Sequence, residues 1–196
     1  GYLDSAAKAM GLSEQVEHDR RYDRADEYLE VLYKLWEGSW ENSAVLNDRE
    51  QRIYAQPEKV HKVEHKGEFY QVEGYHLCEP SPQRTPVLFQ AGSSDRGLQF
   101  AGRHAECVFI SGQNKPSTKI QVDKVRASAV EAGRNPEDIK VFMGLNVIVG
   151  ATEEQAWAKH AEYLSYASAE AGVAHFSAST GIDFSEYAID EPIQYV

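Results

Sequence analysis

The chain has 196 residues, 42% of them hydrophobic and 26% charged, an ordinary globular balance that excludes a disordered, collagenous or fibrous protein. Its 20 Lys and Arg against 31 Asp and Glu give a formal charge of −11, which disfavours a broad nucleic-acid face, since phosphate backbones are gripped by clustered cations. No apolar run approaches the roughly 18 residues of a membrane span. The polar, alanine-rich start lacks the basic and apolar regions of a secretory signal, so a cytoplasmic location is expected. Cys78 and Cys107 fit no zinc or redox spacing and are expected as reduced thiols.

Val16, Tyr22, Leu29, Leu32, Leu35, Trp36 and Trp40 recur at helical spacing and predict one long helix over residues 13–40. Ser13 suits its N-cap, and Glu14 and Glu17 place negative charge in the first turn. Residues 42–75 carry scattered charges, the pair Gln56-Pro57 and short alternating runs at 60–63 and 69–72. They read as an insertion, over about 42–78, that holds a small hairpin within a single domain of residues 1–196. Pro80, Pro82 and Pro86 then hold an extended path into a strand at Val87, Leu88 and Phe89.

From there the pattern alternates: a helix over 96–104, a strand over 107–110, a helix over 117–132, a long strand over 139–149 and a helix over 153–171. Such alternation predicts β-α-β units and a parallel sheet. No internal repeat and no Gly/Ser linker divides the chain. A closed (β/α)8 barrel needs eight strands and about 250 residues, more than are legible here.

Candidate chemistry gathers in two places. The run Gln90-Ala91-Gly92-Ser93-Ser94 lies between a predicted strand and a predicted helix. Small residues there let backbone N–H groups approach an anion at a helix N-terminus; the same residues also suit a tight turn with a serine N-cap. His18 and Tyr22, four apart on the long helix, share a face and can reach one ligand, or can sit as a half-solvated histidine and a stripe tyrosine. His61, His65 and His76 match no zinc pattern and are expected as solvated surface residues; no metal site is expected. No nucleophile elbow, P-loop or dinucleotide fingerprint is present.

Three stretches carry a family resemblance. The run His18-Asp19-Arg20-Arg21-Tyr22 opens a helix that ends Leu35-Trp36-Glu37. It is followed by His65-Lys66-Gly67-Glu68-Phe69-Tyr70-Gln71-Val72 and by the block Pro80-Ser81-Pro82-Gln83-Arg84-Thr85-Pro86-Val87-Leu88-Phe89-Gln90-Ala91-Gly92-Ser93-Ser94. Together they resemble the bacterial-luciferase superfamily, in the branch of the nitrilotriacetate, EDTA and dibenzothiophene sulfone monooxygenases.

The resemblance implies an α/β fold, a (β/α)8 TIM barrel of the luciferase-like type, incomplete in this chain. It implies a two-component FMN-dependent monooxygenase that takes reduced FMN (FMNH2) from a separate NAD(P)H-dependent flavin reductase. With O2 as co-substrate, such an enzyme oxygenates a small organic substrate such as dibenzothiophene sulfone or nitrilotriacetate. It further implies that His18, Tyr22, Ala91, Gly92, Ser93 and Ser94 contact the FMN phosphate, leaves the catalytic residues unassigned, and suggests a homo-oligomer. Residues beyond Gly172, with His175, Ser179, Gly181, Asp183 and Tyr187, look like a loop near the mouth of the site. The aromatic residues Phe109 and Phe176 lean towards an apolar substrate. A non-catalytic flavin-binding protein of the same fold, and a deazaflavin-dependent oxidoreductase, are the alternative expectations.

Overall fold

A computed structural model describes residues 3–188, and of Ser179 the backbone alone. In chain order the elements are α1 (Asp4–Ala9), α2 (His18–Gly38), β1 (Val45–Asp48), β2 (Ile53–Ala55), β3 (Val63–Lys66), β4 (Gln71–Gly74), β5 (Phe89–Gln90), α3 (Asp95–His104), β6 (Cys107–Ile110), α4 (Lys115–Glu131), β7 (Lys140–Met143), α5 (Glu153–Ser165) and α6 (Ala169–Thr180). They fall into two compact units, His18–Gly144 and the pair of segments Gly1–Glu17 with Leu145–Val196.

In the unit His18–Gly144, β5, β6 and β7 form a parallel sheet in the order β5-β6-β7. Val108 and Val141 are opposite one another, as are Phe109 and Phe142. Successive strand residues face opposite ways. Val108, with Ile110 and Val141 beside it, therefore packs into a core with Leu98 and Ala101 of α3, Val125 and Ala129 of α4, Ala105 and Ile139. Burying each large aliphatic side chain contributes about 1.5–3 kcal/mol, so this cluster dominates the unit's stability. The helices approach closely because Gly102 has no side chain: a Cβ there would stand 2.3 Å from the Ser128 carbonyl oxygen.

On the opposite face of the sheet, Phe89, Phe109 and Phe142 form a three-ring aromatic cluster with every pair of ring centroids 5.5–5.9 Å apart. The rings remain about half exposed.

Several element boundaries differ from the sequence reading. The long helix starts at His18, and Ser13 is not its N-cap. Before it, the Gln15 N–H donates to the Asp4 carboxylate at 2.9 Å and the Val16 N–H to the Gln15 side-chain oxygen at 3.2 Å. Those side-chain bonds take the donors a preceding helical turn would need. The expected strand at Val87, Leu88 and Phe89 is shorter and shifted, β5 holding only Phe89 and Gln90. The expected strand over 139–149 ends at Met143, because its partner β6 ends opposite it at Ile110. Beyond it Leu145, Val147 and Val149 are exposed.

The hairpin forms as β3 paired with β4, two to three residues later than expected, and β1 with β2 makes a second one. Register in a hairpin follows its turn, and this turn is pinned from α2. The Glu27 carboxylate accepts the backbone N–H groups of Glu68, Phe69 and Tyr70 at 3.0, 2.9 and 2.7 Å. Burial alone would raise the Glu27 pKa. These bonds and the one to His65 outweigh it and lower the pKa to about 2. The far end of α2 is fastened too. Fully buried Ser39 donates its hydroxyl to the His61 carbonyl at 3.1 Å and accepts the His76 N–H at 2.8 Å.

In the unit Gly1–Glu17 with Leu145–Val196, the expected single helix over 153–171 is two helices. Ser168 interrupts it by capping α6, its hydroxyl accepting the Ala171 N–H at 3.1 Å. The loop expected beyond Gly172 is helical as far as Thr180, where Gly181 stops α6 in a left-handed conformation, φ 78°. His175 therefore lies on α6, with Asp183 and Tyr187 bounding a short 3-10 turn after it. Among the described residues no helix is long and apolar enough to cross a membrane.

Candidate functional site

The site is assembled by joining the start of α2 to the start of α3. The proline-rich block makes this possible by running along α2. Arg84, in a left-handed conformation at φ 62°, donates to the Trp40 carbonyl and the Asn42 side-chain oxygen, both at 2.6 Å. Glu37 accepts the Thr85 N–H at 3.0 Å and its hydroxyl at 2.5 Å. The chain is thereby guided into β5 and on to the turn 91–94.

Ser94 caps the ten-residue α3, its Oγ accepting the Gly97 N–H at 3.1 Å. His18, the first residue of α2, brings Nε2 to 3.3 Å from that same Oγ, while its Nδ1 lies 2.6 Å from an Asp19 carboxylate oxygen. One turn along, the Tyr22 ring meets the His18 ring edge-on at 5.2 Å. The Gln90 side-chain amide donates to the Tyr22 hydroxyl at 3.4 Å and accepts the Gly92 N–H at 2.5 Å.

Two glycines make room for that hydroxyl. A Cβ at Gly92 would lie 2.6 Å from the Tyr22 hydroxyl oxygen, and one at Gly97 would lie 2.7 Å from it. The structure thus gathers His18, Tyr22, Gly92 and Ser94 in one place, while Ala91 and Ser93 are exposed positions of the same turn.

Sequence reasoning placed Gln90 in the candidate run but gave it no role, and it missed a cluster behind Tyr22. The Arg96 guanidinium stands 5.6 Å from the Tyr22 ring centroid. Its Nη2 donates to Asp23 at 3.0 Å and also to Asp26. Asp26 further accepts from Arg103 at 3.4 Å and pairs with His104 Nε2 at 2.8 Å; His104 Nδ1 in turn meets the Tyr33 hydroxyl at 3.0 Å. Burial would lower the Arg96 pKa, but its hydrogen bonds to Asp26 and Asp23 prevail and raise it, so its charge is fixed. Burial raises the Tyr33 pKa, keeping the phenol neutral. The one signal in sequence was the spacing of Tyr22 and Asp26, a helical turn apart on the face that carries His18.

His65 is also corrected: its side chain is only 7% exposed, wedged between Glu27 at 3.0 Å and the Lys34 ammonium at 3.3 Å. Its place beneath the Glu27-anchored turn accounts for the burial. His61 pairs with Glu41 at 2.7 Å on the surface. Cys78 is exposed and free, Cys107 buried and free. Among the described residues no group of three or more His, Cys, Asp or Glu could hold a metal ion.

A phosphomonoester dianion fits these residues on three grounds. The N-terminus of α3 carries partial positive charge and free N–H groups. The hollow at Gly92 is lined by the Gln90 Nε2 and the Tyr22 hydroxyl, which a Cβ there would meet at 2.5 and 2.6 Å, so only a bare backbone lets these polar groups converge. The Arg96 Nη1 is buried with no partner among the described residues, so positive charge is held beside the hollow.

The profile of the family described as luciferase-like monooxygenase matches residues 2–191. The chain is 52% identical over 192 residues to the long-chain alkane monooxygenase of Geobacillus thermodenitrificans strain NG80-2, covering 98% of this chain and 44% of that protein. It is 49% identical over 193 residues to the dimethyl-sulfide monooxygenase of Hyphomicrobium sulfonivorans, covering 98% and 40%. The crystal structure of a long-chain alkane monooxygenase superposes with a TM-score of 0.89 at 50% identity, over 100% of this chain and 45% of that one. The chain therefore spans less than half the length of these relatives. The sheet β5-β6-β7 with α3 and α4 is part of a luciferase-like (β/α)8 TIM barrel. The chain belongs to the luciferase-like monooxygenase family.

Proposed function

We propose that the protein containing this chain is a two-component FMN-dependent monooxygenase, and that His18, Tyr22, Ala91, Gly92, Ser93 and Ser94 hold the FMN phosphate. The observation that carries the reading is the meeting of His18 with Ser94 at the N-cap of α3, beside the hollow formed at Gly92. When bound, reduced FMN supplies the electrons that activate dioxygen, and a separate NAD(P)H-dependent flavin reductase delivers it. The residues seen here bind and orient. Ser94 and the first N–H groups of α3 face the anion, His18 adds a donor when protonated, and Gln90 and the two glycines fix the Tyr22 hydroxyl.

The substrate proposed is apolar: an alkane or a small organosulfur compound rather than a polycarboxylate such as nitrilotriacetate. In a barrel, side chains pointing away from the helices face the interior. Here that face carries the cluster of Phe89, Phe109 and Phe142. The two relatives above, named for a long-chain alkane and for dimethyl sulfide, support the same choice.

Anaerobic fluorescence titration of the full-length protein with FMN, then aerobic product analysis with a flavin reductase and a panel of alkanes, dialkyl sulfides, dibenzothiophene sulfone and nitrilotriacetate, tests both halves. FMN binding with oxygenation of apolar members is expected. Failure to bind FMN would remove the cofactor reading, and turnover of nitrilotriacetate alone would remove the substrate reading.

A further inference from the structure

The salt-bridged cluster behind Tyr22 does more than hold two helices together. Arg96 is wedged between α2 and α3 with its side chain 13% exposed, and it makes its ion pairs through Nη2 to Asp23 and Asp26. Its Nη1 is buried and unpartnered among the described residues, although a buried guanidinium nitrogen is costly to leave without an acceptor. If the guanidinium served only to join α2 to α3, a third protein acceptor would be the expected occupant of that nitrogen. The guanidinium carbon stands 5.6 Å from the centroid of the ring of Tyr22, the residue whose hydroxyl sits between Gly92 and Gly97. Phe100 closes the ring from another side at 5.6 Å.

We propose that Arg96 is a positioning residue of the phosphate site, oriented by Asp26, which fixes the Tyr22 ring beside the Gly92 hollow and supplies a buried positive charge that selects a phosphorylated flavin over an unphosphorylated one. The inference rests on the phosphate reading above. Asp23 and Asp26 hold the guanidinium through one nitrogen and leave Nη1 as a buried N–H donor with no acceptor among the described residues. A lysine at position 96 would keep the charge but lose the planar fork and the ring contact.

The test compares FMN with riboflavin, which differ only in the phosphate. Dissociation constants for both oxidised flavins would be measured by fluorescence quenching in the full-length protein, for the parent, Arg96→Met, Arg96→Lys and the double variant Asp26→Asn/Arg96→Met. The double variant removes a carboxylate together with its partner, so that folding, checked by circular dichroism, survives the loss of the cation. The expected result is a fall of about tenfold in the FMN-to-riboflavin affinity ratio for Arg96→Met and for the double variant, with partial recovery in Arg96→Lys. An unchanged ratio, or FMN and riboflavin affinities falling together, would overturn the inference. Ser94→Asp run alongside separates the causes. If it weakens FMN binding while the Arg96 variants leave the ratio intact, the role of Arg96 fails and the phosphate site stands. If it too leaves FMN binding unchanged, the phosphate reading has failed and this inference with it.

Discussion

The imidazole Nε2 of His18 lies 3.3 Å from the hydroxyl oxygen of Ser94, a residue 76 positions further along the chain. Each opens a helix, His18 as the first residue of α2 and Ser94 as the N-cap of α3. Their meeting turns two ordinary helix starts into one pocket edge. Ser94→Asp should keep the cap, since Asp caps as well as Ser, yet weaken FMN binding about tenfold or more by setting a like charge beside the phosphate. Ser94→Ala should instead cost about 1 kcal/mol of stability through the lost cap. Flavin titration and thermal unfolding distinguish the two effects; equal flavin affinity in Ser94→Asp and the parent would remove Ser94 from the site.

Gly92→Ala places a methyl group 2.5 Å from the Gln90 amide nitrogen and 2.6 Å from the Tyr22 hydroxyl. Both neighbours are side-chain ends that can swing aside, so the unfolding midpoint should move little. The geometry of the hollow should be lost, with FMN affinity falling about tenfold or more. A titration giving parental affinity would show that the hollow does not receive the ligand.

Glu27 makes the hairpin turn sensitive to acid. Its folded pKa of about 2 lies below the ordinary 4.5, so the stability it contributes is complete above about pH 4.5 and is lost as the pH falls towards 2. Glu27→Gln should flatten that part of the acid-unfolding profile. It should also speed hydrogen exchange at the amides of Glu68, Phe69 and Tyr70 roughly tenfold at neutral pH, as the charge-assisted bonds are lost. Parental exchange rates in the variant would refute the anchoring role.

Ile139 is fully buried in the core of the sheet unit. Ile139→Ala should cost about 2–5 kcal/mol, read by chemical denaturation of the full-length protein, because the rigid surroundings of α4 and β6 cannot collapse into the space. A loss below about 1 kcal/mol would mean that the site repacks freely.

Phe109 tests the substrate reading. Phe109→Ser should raise KM for an alkane or dialkyl sulfide while leaving the FMN dissociation constant unchanged, because it alters the aromatic cluster and not the turn 91–94. Unchanged KM for every apolar substrate would exclude the cluster from the substrate pocket.

What the sequence determined by itself was whatever local periodicity and turn chemistry encode. The strand Cys107–Ile110 was read at its true bounds and the helices α3 and α4 to within two residues, since their apolar spacing, the Ser94 cap and the turns beyond them act over one or two helical turns. The parallel order of the sheet followed from alternation. The family was legible in the proline-rich block and the A-G-S-S turn.

Tertiary structure decided the rest. Ser13 offered a good cap, but the Asp4 carboxylate takes the Gln15 N–H and α2 begins at His18. The apolar alternation from Leu145 to Val149 promised a continued strand, yet a strand exists only where a partner lies beside it, and β6 ends at Ile110. His65 looked like a surface histidine because nothing near it in sequence announces Glu27, which buries it from 38 positions away. Arg96 was invisible for the same reason, and Asp26 showed only in its spacing from Tyr22. An ion pair between distant helices leaves no local pattern, because its energy depends on burial and distance in space, and both arise only once α2 and α3 are packed.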